Sequence, residues 1–363
     1  MNGKPVAVLG GGHGGHMMAV DLTSRGYMVH LYEHPRFEEK FKTTLANREI
    51  EAVGYRPHGV VPIQNVGMDM RETLTGVEWI HVVVPALAHE AFFDEMIPHV
   101  TEGQKVVIWA GDFGSLRLRE KLRRSGGDPG VVIIETNTLP YGTRLVAPGK
   151  VQLICEATRV MAAALPAASW QGAIAALREM FPCIVEAQHV LAAAFNNPNP
   201  TVHPPGTLLN TGRIEYSGGE FYMYREGITE AVARVIRAIY DESRRVANVL
   251  RFDMIQYKDA DFMTTASIFH VDFVAPFDII GVIETFKGPA SIHNRYIAED
   301  LPFGLVPRSE LGRVAWVPTP VIDGIVSIGS VICREDYWST GRTLETLGLG
   351  GISREDILAA VES

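Results

Sequence analysis

The chain has 363 residues, of which 47% are hydrophobic and 21% are charged, and its formal net charge is -9. A chain of this length and composition can bury a sizeable core and is expected to form two domains. The acidic balance gives a nucleic acid backbone little to bind, and no apolar run reaches the roughly 18 to 20 residues of a membrane-spanning helix. We therefore expect a cytoplasmic protein that binds neither nucleic acid nor a membrane.

The cysteines also indicate a cytoplasmic protein. Cys155, Cys183 and Cys333 are scattered through the chain. Their spacing matches neither a redox motif nor a metal site, and their number is odd. We expect reduced, mostly buried thiols and no bound metal.

The first predicted unit is a strand, a glycine-rich loop and a helix. Val6–Leu9 is a short apolar run, and Met17–Arg25 has helical spacing and is followed by Gly26. Between them, the stretch "GGGHGG" contains a G-x-G-x-x-G pattern. Such a loop brings backbone N–H groups and a helix N-terminus close to a pyrophosphate. The predicted cofactor-binding residues of the loop are Gly10, Gly12, His13, Gly14 and Gly15.

A second predicted strand, Met28–Tyr32, ends directly before Glu33. The distance from the glycine loop suits an acid that accepts hydrogen bonds from the adenosine ribose. A carboxylate at this place repels a 2′-phosphate, so NADH is favoured as the cofactor. The neighbouring His34 and Arg36 leave NADPH as an open alternative.

Strands and helices continue to alternate through the first half of the chain. Continuous apolar runs predict buried strands at Trp79–Val84, Val106–Trp109 and Val131–Glu135. In open α/β sheets, ligands lie outside the carboxyl ends of the strands. The residues expected to line the cofactor cleft for this reason are Pro85, Ala86 and Thr136.

The pattern changes near residue 188. Val151–Ala157, a helix near Ala168–Met180 and Cys183–Ala187 are expected to close the first domain. Beyond His189 the strand patterns fade, and a long helical periodicity runs through Gly227–Leu250. We therefore expect an α/β protein in which a Rossmann-type dinucleotide-binding domain, residues 1–188, precedes a mainly α-helical substrate and catalytic domain, residues 189–363.

The helical domain opens with "AFNNPNPTVHPPGTLLN", residues 194–210, which we expect to form a proline-stiffened loop. Asn197, Asn199 and His203 lie among its prolines. Amides can orient a carbonyl group and an imidazole can carry a proton, so these residues are candidates for substrate binding and catalysis. A structural histidine is the alternative interpretation.

Several motifs resemble the opine dehydrogenase family, which includes the octopine, nopaline and carboxyethyl-norvaline enzymes. They are "NPNPTVHPPGTLLN", "YREGIT", "NRYIAEDLPFGLVPRSELG", "VPTPVID" and "GRTLETLGL". The resemblance runs nearly from end to end. It implies an enzyme that reduces, with NADH or NADPH, the imine formed between a 2-oxo acid and the amine of an amino acid.

The resemblance also implies residue roles. His203 matches the family's catalytic histidine, Asp300 its carboxylate partner, and Arg295 an arginine that holds a substrate carboxylate. The same roles are sensible chemically, because a carboxylate stabilises an imidazolium and a guanidinium binds a carboxylate through two parallel hydrogen bonds. The alternative is an Arg295–Asp300 surface ion pair beside a buried neutral histidine.

Two other functions stay open at this stage. One is a 2-oxo acid or carbonyl reductase with the same two-domain plan. Related reductases use a lysine from the early helical domain, and no lysine occurs between Val151 and Tyr257, which counts against this alternative. The other is a non-catalytic NAD-sensing protein, although both His203 and Asp300 are present.

The amino donor, the new stereocentre and the oligomeric state are left undetermined, with a homodimer as an open alternative to a monomer. Candidate pocket residues are aromatic, but core packing is the favoured role for each of them: Tyr222, Tyr224, Phe262 and Phe269.

Overall fold

In the computed structural model of the chain, the described residues are 3–56, 58–127, 129–167 and 171–362. The chain divides into two compact units. The first takes in the chain up to Leu165 and a further stretch that ends at Glu186, and the second begins its main run at Ala187. None of the helices in the described ranges combines the length and apolar character needed to cross a membrane.

The strands, numbered in chain order, are β1 Pro5–Leu9, β2 Met28–Tyr32, β3 Glu49–Gly54, β4 Gly59–Pro62, β5 Asn65–Gly67, β6 Trp79–Val82, β7 Lys105–Ile108, β8 Val132–Thr136, β9 Tyr141–Ala147, β10 Lys150–Ala157, β11 Val160–Leu165, β12 Ile184–Glu186 and β13 Phe273–Val274.

The main sheet of the first unit has eight strands in the order β12-β11-β8-β7-β6-β1-β2-β5. Its strands pair in parallel except β8 and β11, which are antiparallel. The central β1 is fully buried from Val6 to Leu9. Apolar side chains on both strand faces favour this arrangement, because helices cover both faces of a parallel sheet. The predicted Rossmann-type α/β domain is confirmed.

The helices of the first unit are α1 His13–Ser24, α2 Glu38–Asn47, α3 Met70–Leu74, α4 His89–Met96, α5 Gly114–Arg124 and α6 Gln171–Met180. The expected start of α6 at Ala168 lies outside the described residues.

Four strands of a second sheet, β3, β4, β9 and β10, belong to the same unit. β10 pairs in parallel with β3 and antiparallel with β9, and β3 pairs antiparallel with β4. Buried and half-buried residues alternate along β10, so only one of its faces is packed. The run Val151–Ala157, which was expected to close the first domain, therefore lies in this second sheet, while β11 joins the main sheet.

The second unit is mainly helical, as predicted, and β13 also lies in it. Its helices are α7 Val190–Phe195, α8 Asn199–Leu208, α9 Thr211–Ser217, α10 Glu230–Val249, α11 Asp259–Phe262, α12 Phe269–Asp272, α13 Ile279–Glu284, α14 Arg295–Ala298, α15 Val306–Val314, α16 Pro320–Cys333, α17 Tyr337–Thr340 and α18 Asp356–Glu362. Their apolar faces meet in a core that includes Ile239 of α10, Leu208 of α8, and Ile322 and Val326 of α16.

The expectation of a loop at residues 194–210 was wrong, because Asn199–Leu208 is an α-helix. Pro204 and Pro205 lie inside it and lack the N–H groups of a helix interior, a defect that costs about 3 kcal/mol at an exposed site. Every residue of α8 except Asn199 is buried. Burial of the whole helix offsets the low helix propensity of proline, so tertiary packing decides the conformation.

Candidate active site

The glycine loop between β1 and α1 has the form of a dinucleotide cradle. Gly10 has φ +116°, which favours glycine, and a Cβ at Gly15 would lie 1.7 Å from the Gly10 carbonyl oxygen. A Cβ at Gly12, in contrast, would meet nothing within 4 Å. No side chain caps the N-terminus of α1 at Gly12. The backbone N–H groups there suit a pyrophosphate, and the residues present fit NAD or NADP.

Two other predicted residues of this loop contribute in different ways. A Cβ at Gly14 would press on Leu139 and Val83 at 3.0 Å, so the absence of a side chain lets the loop pack closely. His13 is exposed, and its Nδ1 accepts a hydrogen bond from the Leu145 N–H at 2.6 Å.

Glu33 lies at the carboxyl end of β2, with its carboxylate against the glycine loop. One oxygen accepts the Gly11 N–H at 2.9 Å and the other accepts the His34 N–H at 2.8 Å. The side chain is 7% exposed. Burial raises the pKa of Glu33, against the opposite effect of the two backbone hydrogen bonds. Each oxygen has a second lone pair that could accept a ribose hydroxyl.

The other predicted cofactor residues lie at the carboxyl ends of β6 and β8. Pro85 is exposed, whereas Ala86 is buried at the start of a short 3₁₀ turn. Thr136 is fully buried, and its hydroxyl accepts the Ala110 N–H at 3.1 Å and donates to the Thr138 carbonyl at 3.0 Å. The Thr136 side chain therefore holds a neighbouring loop in place.

That loop, residues 109–114, was missed by the sequence analysis. Three non-glycine residues in it have positive φ: Ala110 at 51°, Asp112 at 48° and Phe113 at 67°. The buried carboxylate of Glu135 accepts the N–H of Phe113 at 2.7 Å. Strained backbone that the surrounding structure holds in place is a feature of ligand sites. The two glycines of "AGDFG", directly after a predicted strand, were the sequence feature that could have identified this loop.

The second unit places His203 and Asp300 in contact, although they are 97 positions apart in the sequence. His203 Nδ1 lies 2.8 Å from Asp300 Oδ2, and the two side chains are 5% and 3% exposed. His203 Nε2 lies 2.9 Å from the Tyr224 hydroxyl. Both ring nitrogens therefore have polar partners, and a buried carboxylate stabilises the imidazolium.

Aromatic rings cover the imidazole. Tyr296 stacks on His203 with ring centroids 3.8 Å apart and planes 12° apart, and Phe269 lies at 5.6 Å. Of the aromatic pocket candidates, Tyr224 and Phe269 thus surround His203, whereas Phe262 packs against Tyr240. The sequence analysis missed Tyr296, because nothing in its local pattern separates it from a core residue.

Three irregular helical segments carry this cluster. His203 lies in the proline-containing α8, and its two hydrogen-bond partners lie in π-helical turns, Met223–Gly227 and Asp300–Leu305. Such turns are rare and occur frequently at functional sites.

Arg295 does not form the predicted alternative ion pair with Asp300. Its Nη1 lies 3.2 Å from Glu299, and its side chain is 49% exposed. Partial burial lowers the pKa of Arg295, but attraction to Glu299, and then to Tyr296 and Asp300, outweighs this effect and raises it. Arg295 is also next to Tyr296, so a cation lies beside the imidazole cluster.

The two asparagines of the proline-rich segment have different surroundings. Asn197 is 1% exposed, and its side-chain oxygen accepts the Asn199 N–H at 3.0 Å. The buried Arg308, which the sequence analysis missed, donates to the carbonyl oxygens of Ala194 and Asn197 and to the Thr201 hydroxyl. Arg308 thereby fastens the segment that leads into α8. Substrate contacts of Asn197 and Asn199 stay a prediction.

Comparison with known proteins defines the class first. Residues 5–115 match the family described as NAD-dependent glycerol-3-phosphate dehydrogenase N-terminus, and residues 186–333 match NAD/NADP octopine/nopaline dehydrogenase, alpha-helical domain. Together with the glycine cradle, these matches define an NAD(P)-dependent oxidoreductase.

The relatives then define the family. The chain is 32% identical to the opine dehydrogenase of Arthrobacter sp. (strain 1C), over 99% of both chains. Its fold is similar to that of an octopine dehydrogenase in complex with NADH and agmatine, with a TM-score of 0.72 and 21% identity over 98% of both chains. It is also similar to yersinopine dehydrogenase with NADP+ bound, with a TM-score of 0.69 and 17% identity over 99% of this chain and 98% of that one. The chain belongs to the opine dehydrogenase family, and the predicted resemblance is confirmed.

Proposed function

We propose that this enzyme joins the amine of an amino acid to a pyruvate-like 2-oxo acid, with reduction of the resulting imine by NADH. The single observation that carries the proposal is the buried His203–Asp300 contact at 2.8 Å, in a chain whose relatives include an opine dehydrogenase. When bound, the nicotinamide cofactor supplies the hydride for the imine carbon.

The role of His203 is proton transfer. An amino acid arrives as an ammonium ion, so a base must take one proton before the nitrogen can attack the oxo carbon. The hydroxyl of the adduct then leaves as water, which requires a proton in return. One imidazole can do both, and Asp300 stabilises the intermediate imidazolium.

Arg295 is proposed to hold a substrate carboxylate. Its side chain is half-exposed beside Tyr296, the residue stacked on His203, and its guanidinium is charged. A planar guanidinium can bind a carboxylate through two parallel hydrogen bonds, which fixes the orientation of the reacting carbon. Asn197 and Asn199, at the start of α8, are the further candidates for orienting the substrate.

The preference for NADH is proposed on the ground of Glu33. Its buried carboxylate lies against the glycine loop, where a ribose hydroxyl can donate to it and a 2′-phosphate is repelled. The proposed cofactor-binding set otherwise comprises the residues named in the sequence analysis: Gly10, Gly12, His13, Gly14, Gly15, Pro85, Ala86 and Thr136.

The proposal includes a cytoplasmic location. The cysteines Cys155, Cys183 and Cys333 are free thiols, which supports it, because the cytosol keeps thiols reduced. A homodimer stays a prediction that sedimentation of the purified protein can test.

The test combines purified protein, NADH and pyruvate with a panel of amino acids, and follows NADH absorbance. We expect oxidation of NADH that depends on the amino acid, with an N-(carboxyalkyl) amino acid as the product identified by mass spectrometry. If pyruvate alone oxidises NADH as fast as every mixture, the carbonyl-reductase alternative is correct. If no mixture oxidises NADH although NADH binds, the NAD-sensing alternative is favoured.

A further inference from the structure

The environment of His203 raises the question of how its proton reaches a substrate. Nδ1 contacts Asp300 and Nε2 contacts the Tyr224 hydroxyl. Tyr296 stacks on the ring, and the His203 side chain is 5% exposed. The imidazole is therefore enclosed by protein, and the group at its Nε2 end is a hydroxyl that can both donate and accept a proton.

Packing and hydrogen bonds between α8 and the π-helical turn hold Tyr224 in position. The Asn210 side chain donates to the Gly206 carbonyl of α8 at 2.9 Å and to the Gly227 carbonyl of the π-helical turn at 3.0 Å. A Cβ at Gly206 would lie 2.8 Å from Met223 Sδ, so the turn lies directly on the helix that carries His203. Asn210 and Gly206 thus hold the hydroxyl and the imidazole at a defined separation.

Hydrogen-bond roles follow from the contact with Asp300. Because a carboxylate only accepts, Nδ1 carries a proton in both states of His203. In neutral His203, Nε2 accepts the O–H of Tyr224. In the imidazolium, Nε2–H donates to the Tyr224 oxygen, and the tyrosine O–H is then directed at another acceptor.

We propose that Tyr224 is a further catalytic residue, whose hydroxyl passes the proton between His203 and the substrate. This inference rests on the proposed function. In the first transfer, the ammonium N–H gives its proton to the Tyr224 oxygen as the tyrosine O–H proton moves to Nε2. In the second transfer, Tyr224 protonates the hydroxyl of the adduct as Nε2–H restores the tyrosine proton. The C–O bond breaks, water and the iminium ion form, and His203 is neutral again.

The test is Tyr224→Phe, which removes one oxygen and retains the ring that packs on Phe269 at 5.8 Å. The matched control is Tyr240→Phe. Tyr240 is also buried in the same unit, but its hydroxyl donates to the Ile255 carbonyl. Each variant removes the hydroxyl of a buried tyrosine that forms a hydrogen bond, so Tyr240→Phe controls for the cost to folding.

We expect Tyr224→Phe to lose about 10²-fold or more in kcat for amine-dependent NADH oxidation, with NADH affinity unchanged, whereas the control stays near the parent. The solvent deuterium isotope effect separates proton transfer from a structural role. Two protons move together through the relay, so the rate in mixed H₂O and D₂O should curve in the parent and become linear, or lose its isotope effect, in Tyr224→Phe.

Three results would overturn the inference. Tyr224→Phe could retain the kcat of the control, it could lose NADH affinity in parallel with kcat, or its isotope dependence could match the curved one of the parent. Activity of the unmodified enzyme is measured first. If that enzyme shows no amine-dependent oxidation, the proposed function fails and the relay fails with it; if it is active, the variants test Tyr224 alone.

Discussion

The contact between His203 and Asp300 can be tested with three variants: His203→Ala, Asp300→Asn and the double mutant. The two side chains meet at 2.8 Å, and both are almost completely buried. General acid–base catalysis contributes roughly 10²- to 10⁴-fold, which corresponds to about 3 to 5 kcal/mol of transition-state stabilisation. We expect His203→Ala to lose kcat by that factor and still bind NADH, because the glycine loop belongs to the other unit.

Asp300→Asn keeps the shape of the side chain and removes its charge. A hydrogen bond to a charged group contributes about 1.5 to 3 kcal/mol, so the loss in kcat should be about 10- to 10²-fold. A carboxylate favours the protonated imidazole. Without it, the imidazolium that forms in the first proton transfer loses its proton at lower pH and cannot protonate the hydroxyl of the adduct, so the reductive rate should fall off at lower pH than in the parent.

The double mutant decides whether the two residues act as one unit. If Asp300 works only through His203, adding Asp300→Asn to His203→Ala should cost little more than His203→Ala alone. Steady-state kinetics across a pH series measures both effects, with NADH binding as the check on folding. Additive losses in the double mutant, together with an unshifted pH profile in Asp300→Asn, would refute the coupling.

Three further expectations concern the cofactor and the substrate carboxylate. Glu33→Ala should narrow or reverse the preference for NADH over NADPH, measured as kcat/KM for each cofactor; equal values in the unmodified enzyme would remove the ribose role of Glu33. Arg295→Lys keeps the positive charge but loses the planar guanidinium, so kcat/KM for the 2-oxo acid should fall far more than KM for NADH changes. A change confined to thermal stability would show that the role of Arg295 is structural. Gly15→Ala places a methyl group 1.7 Å from the Gly10 carbonyl oxygen. Calorimetry should therefore show weakened NADH binding or a destabilised first unit. Unchanged affinity and stability would contradict the close packing inferred at Gly15.

The sequence by itself determined the features that depend on local pattern. The run from Val6 to Leu9, the glycines after it and Glu33 lie within one strand–helix–strand unit, so spacing alone predicted a cofactor loop. The long periodicity that became α10 identified the helical second unit. The contact of His203 with Asp300 was expected only through the family resemblance, because no local pattern links residues so far apart.

Tertiary structure decided the rest. The prolines of Asn199–Leu208 favoured a loop by propensity, but near-complete burial stabilises a helix there. β10 lies in a second sheet with β3 and β9. The alternation of buried and half-buried residues along one strand does not specify its partners, because strand pairing depends on residues far apart in the sequence. Nothing in the local sequence distinguishes Tyr224, Tyr296 and Arg308 from ordinary core or surface residues. Only packing places the two tyrosines around His203 and Arg308 against the segment that leads to it. A side chain's chemistry is set by its neighbours in space, and those neighbours come from distant parts of the chain.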